Sequence, residues 1–203
     1  MGNRQASPFP TYDNACSYFN AEEIAHFHIC FRSSCRQNDA IELKNLCAIN
    51  VDKITSYSRH HMLPKLFIII DTKKDSFLDF EEYLCALALF RFGTFEEKMR
   101  LLFIIYEPTP KSLNGTISKE ILCNILKDSL SPTNLSEGTA EVSKYYEEWS
   151  DDLGELVEGM ADMVLIQYAS QDNRLNFQEF LAFAKVEGSI QGLVNSFQRM
   201  IEF

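Results

Sequence analysis

The sequence has no apolar run approaching the roughly 20 residues needed to cross a bilayer. Ile68-Ile69-Ile70 and Leu87-Ala88-Leu89-Phe90 are short and sit beside charges. The N-terminal residues lack the apolar core of a secretory signal, so export is not expected. Positive charge is in short supply: 19 Lys and Arg stand against 29 Asp and Glu, a net charge of −10. That balance argues against a nucleic-acid binder and for a basic partner. Tryptophan is nearly absent, with one Trp beside 16 Phe, which favours an interior built on phenylalanine. No Gly-rich phosphate loop, nucleophile elbow or HExxH pair occurs. Paired carboxylates are common, but in so acidic a chain they specify no chemistry. The expectation is a protein that is not an enzyme.

The 203 residues give room for one or two compact domains, and an apolar content of 46% is in the globular range. Cysteines at 16, 30, 35, 47, 85 and 123 are scattered and read as reduced thiols in the cytoplasm rather than a disulfide framework. His26, His28, Cys30 and Cys35 are metal-ligating types. On a helix, however, His26 and Cys30 share a face while His28 points elsewhere, so they read as residues of an amphipathic helix. His60 and His61 read as surface. The start, Met1-Gly2-Asn3-Arg4-Gln5-Ala6-Ser7, resembles an N-myristoylation signal with Gly2 as acceptor, although Ala6 holds the place of the usual Ser or Thr. One myristoyl chain holds a membrane only marginally, and Cys16 is a candidate for a second acyl chain. Pro8 and Pro10 mark a flexible arm.

Helical periodicity begins at Asn20, an N-cap with Glu23 three residues on, and continues through Ile24, Phe27 and Phe31. Ile41, Leu43 and Leu46 open another element, and Leu63, Leu66, Phe67 and Ile70 a third. Then comes Asp71-Thr72-Lys73-Lys74-Asp75-Ser76-Phe77-Leu78-Asp79-Phe80-Glu81-Glu82. Acids at positions 1, 5, 9 and 12 with an aliphatic at 8 make the pattern of an EF-hand calcium loop. Phe80, Leu84, Leu87 and Phe90 follow at helical spacing, and Gly93 stops that helix. Thr94-Phe95-Glu96-Glu97 reads as a capping box, with Phe95, Met99, Leu102, Phe103 and Tyr106 on one face. Pro108 and Pro110 break this helix. A turn and short strand at 114–118 lead into Ile121, Leu122, Ile125 and Leu126. Residues 129–155 read as an acidic insert. Leu156, Met160, Met163, Val164 and Ile166 form a helix that enters a fourth loop. Ile190, Leu193, Val194, Phe197 and Ile201 give a last amphipathic helix.

The loops repeat. Aligned on position 8, Ile41, Leu78, Ile117 and Leu175 are spaced by 37, 39 and 58 residues, so the last interval carries the insert. The aliphatic residue at position 8 joins its counterpart in a small antiparallel ladder, which pairs loop 1 with 2 and loop 3 with 4. The stretch 80–106, from Phe80-Glu81-Glu82-Tyr83 to Phe103-Ile104-Ile105-Tyr106, resembles the centre of neuronal calcium sensors, potassium-channel-interacting proteins, calcineurin B-like proteins and calaxin. The superfamily resemblance spans roughly residues 20–186.

The resemblance implies an all-α fold of two EF-hand lobes with short two-stranded β ladders between paired loops. The domain reading is a flexible arm at 1–19, one EF-hand pair at 20–93, a second at 94–186 with the acidic insert near 129–155, and a C-terminal amphipathic helix at 187–203. Calcium takes about 6–8 oxygens. Only loop 71–82 offers a candidate Ca²⁺ site, through Asp71, Asp75, Asp79 and Glu82 and the Phe77 carbonyl. Lys73 at position 3 sets a cation where an anionic ligand belongs, and Ser76 replaces the Gly of position 6. Loop 34–45 has no acid at position 1 or 12. The third loop starts at Pro110 or at Glu107, and both registers lack the ligand set. Loop 168–179 keeps Asp172 and Glu179 but begins on Tyr168. Glu179 reads as a solvated helix-start carboxylate favoured by the helix dipole.

The resulting expectation is a non-catalytic EF-hand protein, largely independent of calcium, that binds an amphipathic basic helix of a larger partner as a regulatory or structural subunit. Phe80, Leu84, Leu87, Phe90 and Phe103 are the candidate groove, and the last helix is an internal competitor for it. A calcium sensor using loop 71–82 and a structural component of a cytoskeletal or ciliary assembly are the alternatives. The expected location is cytoplasmic, with membrane association if Gly2 is acylated.

Overall fold

Four helix starts share one local device. A short polar side chain accepts the N–H three residues on, and a glutamate there accepts the cap's own N–H. Asn20 and Glu23 exchange these bonds at 2.9 and 2.8 Å, Asp79 and Glu82 at 2.9 and 3.3 Å. Thr94 and Glu97 do so at 3.2 and 2.7 Å, Asn176 and Glu179 at 3.1 and 2.8 Å. Each cap stabilises its helix by about 1 kcal/mol. The computed structural model describes residues 8–35, 39–49, 62–106, 115–130, 150–170 and 172–202. Among them it is helical: α1 Tyr12–Ser17, α2 Ala21–Ser34, α3 Leu43–Ile49, α4 Leu63–Ile70, α5 Phe80–Phe92, α6 Phe95–Tyr106, α7 Lys119–Leu130, α8 Ser150–Tyr168, α9 Phe177–Ala184 and α10 Gly188–Ile201. Gly2, His60, His61, Glu107, Pro108, Pro110 and residues 131–149 of the acidic insert lie outside the described residues.

The chain divides into two compact units, Met1–Leu101 with Phe197–Phe203, and Leu102–Ser196. In the first, α1 packs on α5, and α2 and α4 also pack on α5. α4 buries Leu63, Leu66, Phe67 and Ile70, the i, i+3, i+4, i+7 stripe that helical periodicity requires, and its Pro64 sits in the first turn, where a missing N–H costs nothing. Residues 8–19 are folded rather than forming a flexible arm. Thr11 caps α1, and Phe9, Ala15 and Phe19 are buried. Phe19 meets Phe27 and Phe92 edge-on at 5.2 Å each, and Tyr18 stacks on Phe92 at 5.3 Å. The burial of Phe9, Ala15 and Phe19 outweighs the tendency of Pro8 and Pro10 to keep the chain extended. Gly93 ends α5 for a reason other than a left-handed backbone: its φ is −59°, and a Cβ there would stand 2.4 Å from the Leu89 carbonyl oxygen.

In the second unit, α7 packs on α8 and α8 on α9. Phe103 lies edge-on to Phe177 at 5.6 Å, and Phe180 is fully buried. The buried Asp128 side chain accepts the Tyr106 hydroxyl, so a polar group in the interior keeps a partner.

Ile41 and Leu78 exchange two N–H···O bonds of 2.9 Å. Ile117 and Leu175 do the same at 2.7 and 2.9 Å. Both are isolated antiparallel bridges, so the two-stranded ladders expected from the loop repeat are not formed among the described residues. The amides of Phe77 and Asp79 on either side of Leu78, and of Asn176 after Leu175, go to side chains instead. α8 also differs from its sequence reading. Of Leu156, Met160, Met163, Val164 and Ile166, only Val164 is buried, and the inward set is Val157, Ala161, Val164 and Leu165.

Candidate functional site

Loop 71–82 is closed by its own groups. The Asp71 carboxylate accepts the N–H of Asp75 at 3.2 Å and of Ser76 at 2.9 Å. Asp75 accepts the N–H of Phe77 at 2.9 Å. Glu82 Oε1 accepts the Lys73 N–H and the Thr72 hydroxyl, both at 2.9 Å, and its Oε2 accepts the Asp79 N–H. The Lys73 ammonium donates to Asp79 and lies 3.7 Å from Glu81. Asp71, Asp79 and Glu82 therefore have both carboxylate oxygens engaged. Asp71 and Glu82 are also buried, where a charge is tolerable only if hydrogen-bonded. The bond to Asp79 raises the Lys73 pKa; burial works against it, and the Asp79, Glu81 and Glu82 charges add to the rise.

Two backbone positions show how the turn is made without glycine. Lys74 has φ 56° and Ser76 φ 69°, the left-handed region that costs a side-chain-bearing residue on the order of 1 kcal/mol or more. The same strain recurs at position 6 of the siblings, Asp39 at φ 50° and Asn173 at φ 53°. Asp39 is held by a two-pronged bond from Arg32 at 3.1 and 3.2 Å. Residues 36–38 of that first loop lie outside the described set.

Loop 168–179 repeats the closure. Glu179 Oε1 accepts the Ser170 N–H at 3.0 Å and the Ser170 hydroxyl, and Oε2 accepts the Asn176 N–H at 2.8 Å. In both loops the glutamate of position 12 thus folds back on the backbone N–H of position 3. Partial burial pushes the Glu179 pKa up, but the bonds from Ser170 and Asn176 outweigh it and hold the carboxyl below the ordinary value. It is an engaged side chain rather than one solvated at a helix start. Position 1 holds Tyr168, whose ring lies 5.9 Å from Phe183. Arg174 at position 7 donates to the Thr116 hydroxyl at 2.6 Å and its carbonyl at 3.0 Å.

Calcium needs about 6–8 oxygens around one point. In loop 71–82 the Asp79 carboxylate is engaged by the Lys73 ammonium, and Glu82 by two loop donors and the Asp79 N–H. Among the described residues no group of three or more His, Cys, Asp or Glu side chains is placed to hold a metal ion. Cys30 Sγ lies 3.6 Å from His26 Nε2, while His28 meets the Phe80 ring edge-on at 4.7 Å. Burial, then the neighbouring Cys16, pushes Cys85 up to about 11, so it is not a reactive thiol.

The expected groove residues are interior. Leu84, Leu87 and Phe90 are at most 1% exposed in the first unit, and Phe103 is 5% exposed in the second. Phe80 is half-buried against Phe31 at 5.6 Å. The described helices include none long and apolar enough to cross a membrane.

Helix–loop–helix units joined by position-8 bridges define an EF-hand protein. A scan of protein families finds no match, but individual sequences do match. A recoverin family protein of Dictyostelium discoideum is 32% identical over 143 residues, 66% of this chain and 60% of the relative. Guanylyl cyclase-activating protein 1 of Lithobates pipiens is 30% identical over 110 residues, 53% of this chain and 51% of the relative. Calaxin of Danio rerio is 38% identical over 71 residues, 34% of this chain and 31% of the relative. Plant calcium and calcium/calmodulin-dependent protein kinases match over 31%, 30% and 31% of their lengths. The chain thus spans less than two thirds of these relatives. The chain is similar to EF-hand proteins of the neuronal-calcium-sensor kind.

Proposed function

We propose that this chain is a non-catalytic EF-hand subunit that binds an amphipathic, basic helix of a larger protein with little dependence on calcium. The observation that carries the reading is the Lys73 ammonium at position 3 of loop 71–82 donating to the Asp79 carboxylate, with the Lys73 N–H donating to Glu82. The relatives are calcium-sensor-type proteins, and the net charge of −10 complements a basic partner. The reading has two EF-hand lobes, at 20–93 and 94–186, and a C-terminal helix at 187–203 that competes with the partner. Phe197, Met200 and Ile201 are buried, and Glu202 pairs with Arg91 of α5 at 2.9 Å within the first unit. The proposed location is cytoplasmic, with Gly2 acylation supplying any membrane contact.

The alternative of a calcium sensor is favoured by one observation: Asp71, Asp75, Asp79 and Glu82 survive together in one loop. Capture of partners on the immobilised chain, in excess chelator and in millimolar Ca²⁺, separates the readings by mass spectrometry. Equal recovery of a channel, transporter, kinase or phosphatase in both buffers supports the proposal. Recovery only with Ca²⁺ replaces it with the sensor, and recovery of tubulin or dynein with the structural assembly.

A further inference from the structure

α8 carries two apolar stripes. Val157, Ala161, Val164 and Leu165 face the interior of the second unit. On the other side Leu156, Met163 and Ile166 are 58%, 63% and 84% exposed. They fall at i, i+7 and i+10, with half-buried Met160 at i+4 between them, so they line one side of the helix over about 15 Å. Gly159 lies within the stripe, and a Cβ there would meet nothing within 4 Å. Single exposed apolar residues are ordinary, whereas a contiguous row marks a binding surface. The flank is acidic: Glu155, Glu158 and Asp162 are exposed and spaced i, i+3, i+7. Lys119 of α7 pairs with Asp162 at 2.6 Å.

Charge selects the occupant. α8 contains five acids and no Lys or Arg. A second copy laid on this face would oppose acid to acid, and an anionic lipid surface would be repelled. We infer that the outer face of α8 is the docking surface for a basic amphipathic helix, whose apolar side chains cover Leu156, Met160, Met163 and Ile166 while its lysines or arginines meet Glu155, Glu158 and Asp162. The inference rests on the helix-binding function proposed above and moves the contact from the buried groove residues to this stripe. Unbranched methionines suit a surface that must accommodate a foreign helix.

The probe is a fluorescein-labelled synthetic helix of leucine and lysine, read by anisotropy against the full chain in chelator. The expected result is binding by the unmodified chain and affinity at least about tenfold weaker for the double substitution Met163→Glu with Ile166→Glu. Far-UV circular dichroism and the thermal midpoint check folding. Glu155→Lys with Glu158→Lys leaves the apolar row intact and is expected to weaken binding and reduce its salt dependence. Undiminished binding by both double variants overturns the inference and leaves the function standing, because the helix then docks elsewhere. No binding by the unmodified chain overturns both the inference and the basic-helix reading. Sedimentation that shows a dimer abolished by the Met163 and Ile166 substitutions assigns the face to a second copy and also overturns it.

Discussion

Lys73 lies where a calcium loop needs an anion, and its ammonium donates to the carboxylate of position 9. An exposed or half-exposed ion pair stabilises by about 0–1 kcal/mol, so Lys73 adds little to stability; under the proposed calcium-independent reading its weight is that a divalent ion would meet a like charge. Lys73→Asp removes that charge and adds a ligand, and calorimetry should then detect Ca²⁺ binding at least tenfold tighter than in the unmodified chain, about 1.4 kcal/mol. The sign of the pH effect follows from the raised pKa. The ammonium's contribution is intact below the ordinary lysine value and is lost in alkali as pH passes the folded value. Ser76 holds φ 69° with a side chain. Ser76→Gly should therefore raise stability by about 0.5–1 kcal/mol in urea unfolding.

At the scale of elements, positions 9 and 12 of two loops serve as the N-cap and third residue of the helix that follows. This gives Glu82 and Glu179 a capping role beside any part in holding a metal. The single bridges hold paired loops together through fully buried or nearly buried aliphatics. Leu78→Ala should cost about 2–5 kcal/mol, read as a lower urea midpoint with little change in slope. For Glu179 the depressed pKa means that its contribution is present above the ordinary carboxylate value and is lost as pH falls through the lower folded value. Glu179→Gln should therefore flatten the acid limb of the stability–pH curve. Capping boxes at Asn20 and Thr94 were legible because they depend on residues three apart. So were the position-8 aliphatics, because burial keeps them apolar whatever the ligands become. α8 was not: Leu156, Met160 and Met163 make as good a helical stripe as Val157, Ala161 and Val164, and periodicity alone cannot tell which one the core takes. Nor could a list of ligand types show that Lys73 and loop N–H groups already satisfy the carboxylates.

The whole molecule consists of two units, one of which includes the C-terminal residues from Phe197, and an excess of acid that favours basic partners. The apolar residues first suited to a groove are buried within their units, so under the proposed function a partner either displaces the C-terminal helix or uses a surface already open. Removing residues 197–203 distinguishes these: competition predicts tighter partner binding by the shortened chain, whereas docking on α8 alone predicts no change. Beneath both lies the claim that the fold is closed without calcium. Titration calorimetry of the full chain with millimolar Ca²⁺ tests it most directly. The account predicts no site of micromolar affinity; a micromolar site abolished by Glu82→Gln would contradict it.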